Sequence, residues 1–230
     1  MNAAALSASP SVSGAWAPRA WGSRRARSVA PPESQTRSVS QDDRSIDAAL
    51  VLRARDGDDD AFRELVERYQ QRVFWVARGL LGNDEDARDA AQDAFVRVHR
   101  ALDRFDTTMR FYTWLYQIVV NRCIDKLRRR SKRQAASLDA VGEVAGEEAN
   151  HGEALEREEL RQRVLRVLDR LPPKYKTVMV LSDLEGIGAK EIAEITGTTH
   201  ANVRWRHHRA RKLFRAAWEE TYGKGSHALL

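Results

Sequence analysis

Apolar residues recur at helical spacing over most of the chain beyond position 60. In DAFRELVERYQQRVFWVARGLL, residues 60–81, the positions Phe62, Leu65, Val66, Tyr69, Val73, Val76, Ala77 and Leu80 fall on one stripe. That pattern predicts an amphipathic helix, with Asp60 as its cap. Gly82 and Asn83 interrupt the period, and a second helix is predicted over 84–102. Its acidic first turn suits the positive end of a helix dipole, and Ala87, Ala91, Ala94, Phe95 and Val98 face inward. A loop over 103–109 leads into RFYTWLYQIVVNRCIDKLRRRSKR, Arg110 to Arg133. Here Phe111, Leu115, Ile118 and Val119 share one face, while Tyr116, Val120, Ile124 and Leu127 lie nearly opposite, so this helix is expected to be buried on two sides. Between those faces Arg110, Trp114, Gln117, Asn121 and Arg128 are spaced by threes and fours. A cation, an indole, two amides and another cation on one ridge make a surface suited to contact.

The period lapses from 134 to about 153, where Glu143, Glu147, Glu148 and Glu153 reverse the charge of the preceding basic run. This segment reads as a linker. Periodicity resumes near Glu156 with Leu160, Val164, Leu165, Val167, Leu168 and Leu171, and stops at Pro172 and Pro173. Short helices are expected over 174–184 and 190–196, separated by Gly186 and Gly188. Gly197 then turns the chain, and a last helix capped by Thr199 runs from about His200 to Glu220. A helix, a glycine-containing turn and a second helix make a helix-turn-helix arrangement. In its second helix Val203, His207, Ala210, Leu213 and Phe214 face inward, which leaves Arg204, Trp205, Arg206, His208, Arg209, Arg211 and Lys212 outside. A major groove meets residues near the start of such a helix, and an arginine there discriminates guanine by roughly 1–3 kcal/mol. A merely solvated basic helix is the plainer alternative. Before residue 46 no period is visible: the segment is rich in Ala, Ser, Pro and Arg and has no acid ahead of Glu33, which predicts a disordered basic leader. Arg19, Arg24, Arg25 and Arg27 in that context also resemble a transit peptide, or translation begins further in.

Composition sharpens the partner more than the fold. The chain has 230 residues, is 31% charged and carries a formal net charge of +6 with a pI near 9.7, a balance that favours a polyanion. Against that background Asp86, Asp89, Gln92 and Asp93 form an acidic patch on the outer side of the second helix, for which a solvated face is the simple explanation. The single cysteine, Cys123, excludes an internal disulfide framework and reads as a small buried apolar residue. No zinc spacing, Walker loop, dinucleotide glycine motif or HExxH is present, so neither a metal nor a cofactor is expected and an enzyme is the weakest reading. No apolar run approaches the ~18 residues of a membrane span, which predicts a soluble intracellular protein without membrane insertion.

Three blocks in this order and spacing, DARDAAQDAFVRVHRALDRF, then FYTWLYQIVVNRCIDKLRRR, then LPPKYKTVMVLSDLEGIGAKEIAEITG with VRWRHHRARKL, resemble the extracytoplasmic-function sigma factors of bacterial RNA polymerase. The resemblance spans about Ala61 to Trp218. It implies an all-α chain with two helical domains: region two over 46–133 and region four over 156–222, joined by a flexible acidic linker, 134–155, with a leader over 1–45 and a disordered tail over 223–230. It implies that Asp86, Asp89, Gln92, Asp93 and Phe95 help bind the clamp helices of the polymerase largest subunit, and that the flap of the second-largest subunit is a further partner. The loop Phe105, Asp106, Thr107, Thr108, Met109 and Arg110 would capture a base flipped from the melted minus-ten element, with Trp114, Gln117, Asn121 and Arg128 beside it. In region four, His200, Asn202, Arg204, Trp205, Arg206, His208, Arg209, Arg211 and Lys212 would meet the minus-thirty-five duplex. A cognate anti-sigma protein and a cytoplasmic location are implied as well. The reading helix departs from the family pattern at Ala201, Asn202, Trp205 and His207; His207 reads most simply as a hydrogen-bonded core histidine. The competing reading is a free-standing helix-turn-helix regulator that binds duplex DNA alone.

Overall fold

Side-chain caps set where three of the helices begin. The structure, a computed structural model, describes residues 41–136 and 152–223. Helix α1 is Gln41–Arg55, α2 is Asp59–Leu81, α3 is Asp84–Ala101 and α4 is Phe111–Ala136; after the linker come α5, Gly152–Asp169, α6, Pro173–Met179, α7, Ala189–Thr196, and α8, His200–Tyr222. A 3-10 turn, Leu102–Arg104, follows α3, and a π-turn, Val180–Leu184, extends α6. Among the described residues there is no strand.

The cap of α2 is Asp58 rather than Asp60. Asp58 is extended, and its Oδ1 accepts from the Ala61 amide at 3.0 Å, while Asp59 and Asp60 occupy the acidic first turn. Asn83 does the same for α3, accepting from the Asp86 amide at 2.8 Å. Each such cap stabilises its helix by about 1 kcal/mol. Gly82 ends α2 in the left-handed region, φ +83, and donates back to the Arg78 carbonyl at 3.0 Å. Helix α1 begins at Gln41, within the segment assigned to the leader, and is joined to α2 by its own buried residues Leu50 and Val51. The rest of the leader, most of the acidic linker and the tail beyond Gly223 lie outside the described residues.

Helices α1 to α4 form one bundle. The α2 stripe expected from sequence is buried, with Leu65, Val73, Val76 and Ala77 fully enclosed and Val66 at the margin. Helix α4 differs from expectation. Its buried apolar positions are Phe111, Tyr112, Leu115, Tyr116, Val119, Val120 and Cys123, a single broad band, whereas Ile118 is only partly covered and Ile124 is exposed. The reason is geometric: Tyr112 and Cys123, which fall between the two predicted faces around the helix, are buried as well and join the faces into one band. One edge of that band packs on α2 and α3, and the other meets the C-terminal helices. Helices α5 to α8 form the second group around Leu165, Leu168, Val178, Leu181, Ile192, Ile195, Val203, Phe214 and Trp218. Both groups contribute to one continuous apolar cluster.

Candidate nucleic-acid interface

The loop before α4 is a built turn. Asp106 accepts from the Thr108 amide at 2.9 Å, and this bond, with a second from the Thr108 side chain, holds its carboxyl below the usual carboxylate range. The Met109 amide closes the turn on the Asp106 carbonyl at 3.0 Å. Arg44 donates to the Thr108 carbonyl at 3.1 Å, and Arg55 donates to the carbonyls of Leu102, at 2.9 Å, and Phe105. Two arginines of α1 therefore brace a loop that lies 47 to 64 residues further along the sequence, roles with no periodic signature. Asp106, Thr107, Thr108 and Met109 are exposed.

Phe105 is a different matter. It is buried, with its ring 4.8 Å from Trp114 and 6.0 Å from Phe111, so it is the floor of the loop and not part of its exposed rim. Trp114 is half-buried against that floor; Gln117 is half-buried, and Asn121 and Arg128 are exposed further along the helix. Arg128 is ion-paired to Asp125 at 2.6 Å. The ridge is thus an aromatic base followed by open polar positions, a form suited to stacking and backbone contact. Arg110 begins it half-covered, donating to Glu191 of α7 at 2.8 Å and to the Tyr112 hydroxyl at 3.3 Å. Burial pushes the Tyr112 hydroxyl up to about 12, so it stays protonated at neutral pH.

The acidic patch of α3 is partly neutralised from α4. Lys126 reaches Asp86 at 2.9 Å and Asp89 at 3.5 Å, and Arg122 pairs with Asp93. Hydrogen bonds from Asn83 and then Lys126 hold the Asp86 carboxyl below its ordinary range. Gln92 and Asp89 remain exposed. Phe95 is buried in the α3 core, as its helical position predicts, and this removes it from the outward surface with which the family resemblance grouped it. Its side chain follows the Ala91 and Val98 row inward, as helical spacing requires. Cys123 is buried as expected, and burial pushes its thiol up to about 12.

In the helix-turn-helix, Gly197 takes φ +62 and Thr199 Oγ1 accepts from the Asn202 amide at 3.2 Å. Asn202 then spends its side chain on Thr198 Oγ1 at 2.9 Å, inside the turn. Arg211 is drawn back to Asp183, which also holds His207 Nε2 at 2.8 Å. His207 is therefore hydrogen-bonded and half-buried. The exposed positions are His200, Arg204, Trp205, His208, Arg209, Lys212 and the paired Arg211, with Arg206 at the margin. Trp205 is 58% exposed and has Tyr175 at 6.1 Å on one side. A large exposed indole flanked by arginines at the start of such a helix is apolar surface that duplex contact would cover. Among the described residues no helix is long and apolar enough to cross a membrane, and no cluster could hold a metal ion.

Comparison with known proteins bears on both helix groups. The family model Sigma-70 region 2 matches residues 65–133, and Sigma-70, region 4 matches residues 161–214. The chain is 34% identical over 177 residues to the ECF RNA polymerase sigma factor SigW of Bacillus subtilis, covering 72% of this chain and 92% of that protein. It is 36% identical over 174 residues to the ECF RNA polymerase sigma-E factor of Escherichia coli, covering 72% and 91%. Among solved structures, CnrH in complex with the cytosolic domain of CnrY aligns with a TM-score of 0.58 at 27% identity, over 76% of this chain and 98% of that one. The sigma factor RpoE of Bartonella quintana, solved with the anti-sigma factor NepR, shares the fold with a TM-score of 0.59 at 20% identity, over 69% and 96%.

Proposed function

The chain belongs to the extracytoplasmic-function sigma factors of RNA polymerase, and from that premise we propose how its own residues divide the work of promoter recognition and opening. Its partners are core RNA polymerase and promoter DNA, and its relatives are initiation factors rather than catalysts. In our reading region two occupies 46–133 and region four 156–222. Asp86, Asp89, Gln92 and Asp93 meet the clamp helices of the largest subunit, region four meets the flap of the second-largest, and Phe95 serves that surface only by seating α3. The loop 106–110 receives a base leaving the duplex. Unstacking a base costs a few kcal/mol, and stacking on an aromatic returns roughly 1–3 kcal/mol of it. Trp114 is the aromatic at hand, held in place by Phe105. Asn121 and Arg128 then contact the strand beyond. Arg204 and Trp205 read the upstream duplex, with Arg209 and Lys212 on phosphates. A protein acting on polymerase and promoter works in the bacterial cytoplasm, and its fold neighbours support an anti-sigma protein as regulator.

The observation that carries the strand-opening part of this reading is the packing of Trp114, at a tilt, on a buried Phe105 directly behind an exposed, internally hydrogen-bonded loop. Its test is run-off transcription with core polymerase and a promoter that requires this chain. Trp114→Ala and Asn121→Ala should retain polymerase binding and lose permanganate-reactive open complex. Full open-complex formation by both variants would refute it.

A further inference from the structure

Helix α1 carries two arginines whose guanidinium groups donate to backbone carbonyls of the loop before α4. Arg44 and Arg55 are separated by about three turns, which returns them to one face of the helix. Arg55 donates from Nε to the Leu102 carbonyl at 2.9 Å and from Nη2 to the Phe105 carbonyl. Arg44 donates from Nη2 to the Thr108 carbonyl at 3.1 Å. The loop therefore runs antiparallel to α1, with its entry held at the C-terminal end of the helix and its apex near the N-terminal end. Helix α1 is itself fastened to α2 through other side chains. Asp47, 2% exposed, accepts from the Tyr69 hydroxyl and pairs with Arg68 at 3.3 Å; Asp43 pairs with Arg68 at 2.8 Å, and Leu50 and Val51 are buried. The carboxylates of α1 thus anchor the helix, and its arginines reach the loop.

Resting on the reading of 106–110 as the loop that receives the flipped base, we infer that Arg44 and Arg55 are positioning residues for base selection, fixing the loop backbone in the shape that presents its side chains to the base. Phe105 is held by its buried ring, and Arg110 by the start of α4, where the Thr113 and Trp114 amides donate to its carbonyl. Between those ends Asp106, Thr107, Thr108 and Met109 are exposed. Their own bonds, from the Thr108 and Met109 amides to Asp106, close a turn without fastening it to the rest of the protein. The arginines of α1 do the fastening. The entropy of ordering the turn is then lost during folding and not at base capture. Because carbonyls are held, and not side chains, the loop sequence sets which base is preferred while α1 sets where those side chains stand. A constellation loosened by about 1 Å loses its selectivity. Helix α1 lies ahead of residues 65–133, the span that matches Sigma-70 region 2, so this control reaches the loop from outside that span.

The test is run-off transcription by core polymerase with the full chain, on promoters that carry each of the four bases in turn at every minus-ten position. Arg44→Ala and Arg55→Ala should retain core binding and cut the ratio of preferred to rejected base by roughly fivefold, the lower end of what one base contact contributes. Arg44→Lys, which keeps a donor for the single Thr108 carbonyl, should restore the ratio. Circular dichroism checks helix content; if Arg55→Ala does not fold, Arg44→Ala, at an exposed position, decides. Unchanged ratios in the folded variants would overturn the inference. A uniform fall across all four bases would overturn it too, since that is the behaviour of a phosphate contact. Thr108→Ala and Met109→Ala in the same assay separate the underlying reading. Base preference altered by these loop variants but not by the α1 variants refutes the α1 role alone, and preference altered by neither set refutes the loop reading and the α1 role together.

Discussion

Gly82→Ala tests the contact between the two helix groups at a single Cβ. Gly82 closes α2 at φ +83, where an alanine costs about 1–2 kcal/mol from crowding of Cβ against its own backbone. The new Cβ would also stand 2.8 Å from both carboxylate oxygens of Asp169, inside any real contact. Asp169 must swing away, and that breaks its 2.6 Å bond to the buried Lys176. Lys176 retains the Leu80 carbonyl, so the added loss is a coupling of about 1 kcal/mol, within the range for neighbours in one network. The sum, about 2–3 kcal/mol, should lower the melting temperature by roughly 5–10 °C in a chain of this size. The assay is a double-mutant cycle by thermal and urea denaturation. In the Asp169→Ala background the same glycine substitution should cost only its backbone part. An equal cost in both backgrounds would mean that Asp169 does not sit on the end of α2, and the docking of the two groups would be wrong.

Phe105→Ala should destabilise region two by about 3–5 kcal/mol because the ring is buried between Trp114 and Phe111, whereas Asn121→Ala, at an exposed position, should stay within about 0.5 kcal/mol; denaturation midpoints separate the two. Arg204→Ala should relax base preference at one upstream position, and Trp205→Ala should weaken upstream binding with a smaller change in salt slope than Arg209→Ala, measured on a promoter library at several salt concentrations. Asp86 has a folded-state pKa below its ordinary 3.8, so its contribution is complete above that value and is lost as pH falls through the folded pKa. Asp86→Asn should therefore flatten the acid limb of a stability profile taken between pH 3 and 7, and an unaltered acid limb would show that its bonds to Asn83 and Lys126 are not made in solution.

Much of this architecture was legible along the chain because it is local. The stripe of α2, its stop at Gly82, the Thr199 cap and the Gly197 turn each depend on residues within a turn or two of one another, and so do the helix-turn-helix and the exposed arginines of α8. The ridge from Arg110 to Arg128 was legible for the same reason. What periodicity could not supply is which side of a mixed position faces the core. Phe105 lies in a segment read as a loop and is buried, since burial there is set by elements the local pattern does not contain. Nor could it show that Lys126 and Arg122 partly neutralise the acidic patch from another helix, or that Arg44 and Arg55 brace the capture loop. Charges pair across space without leaving a period in sequence. The docking of α7 on α4 is the furthest such case: Arg110 and Glu191 are 81 residues apart, nothing in either segment points to the other, and only the packing of Val180 against Gly79 and of Lys176 against the end of α2 brings them within a hydrogen bond.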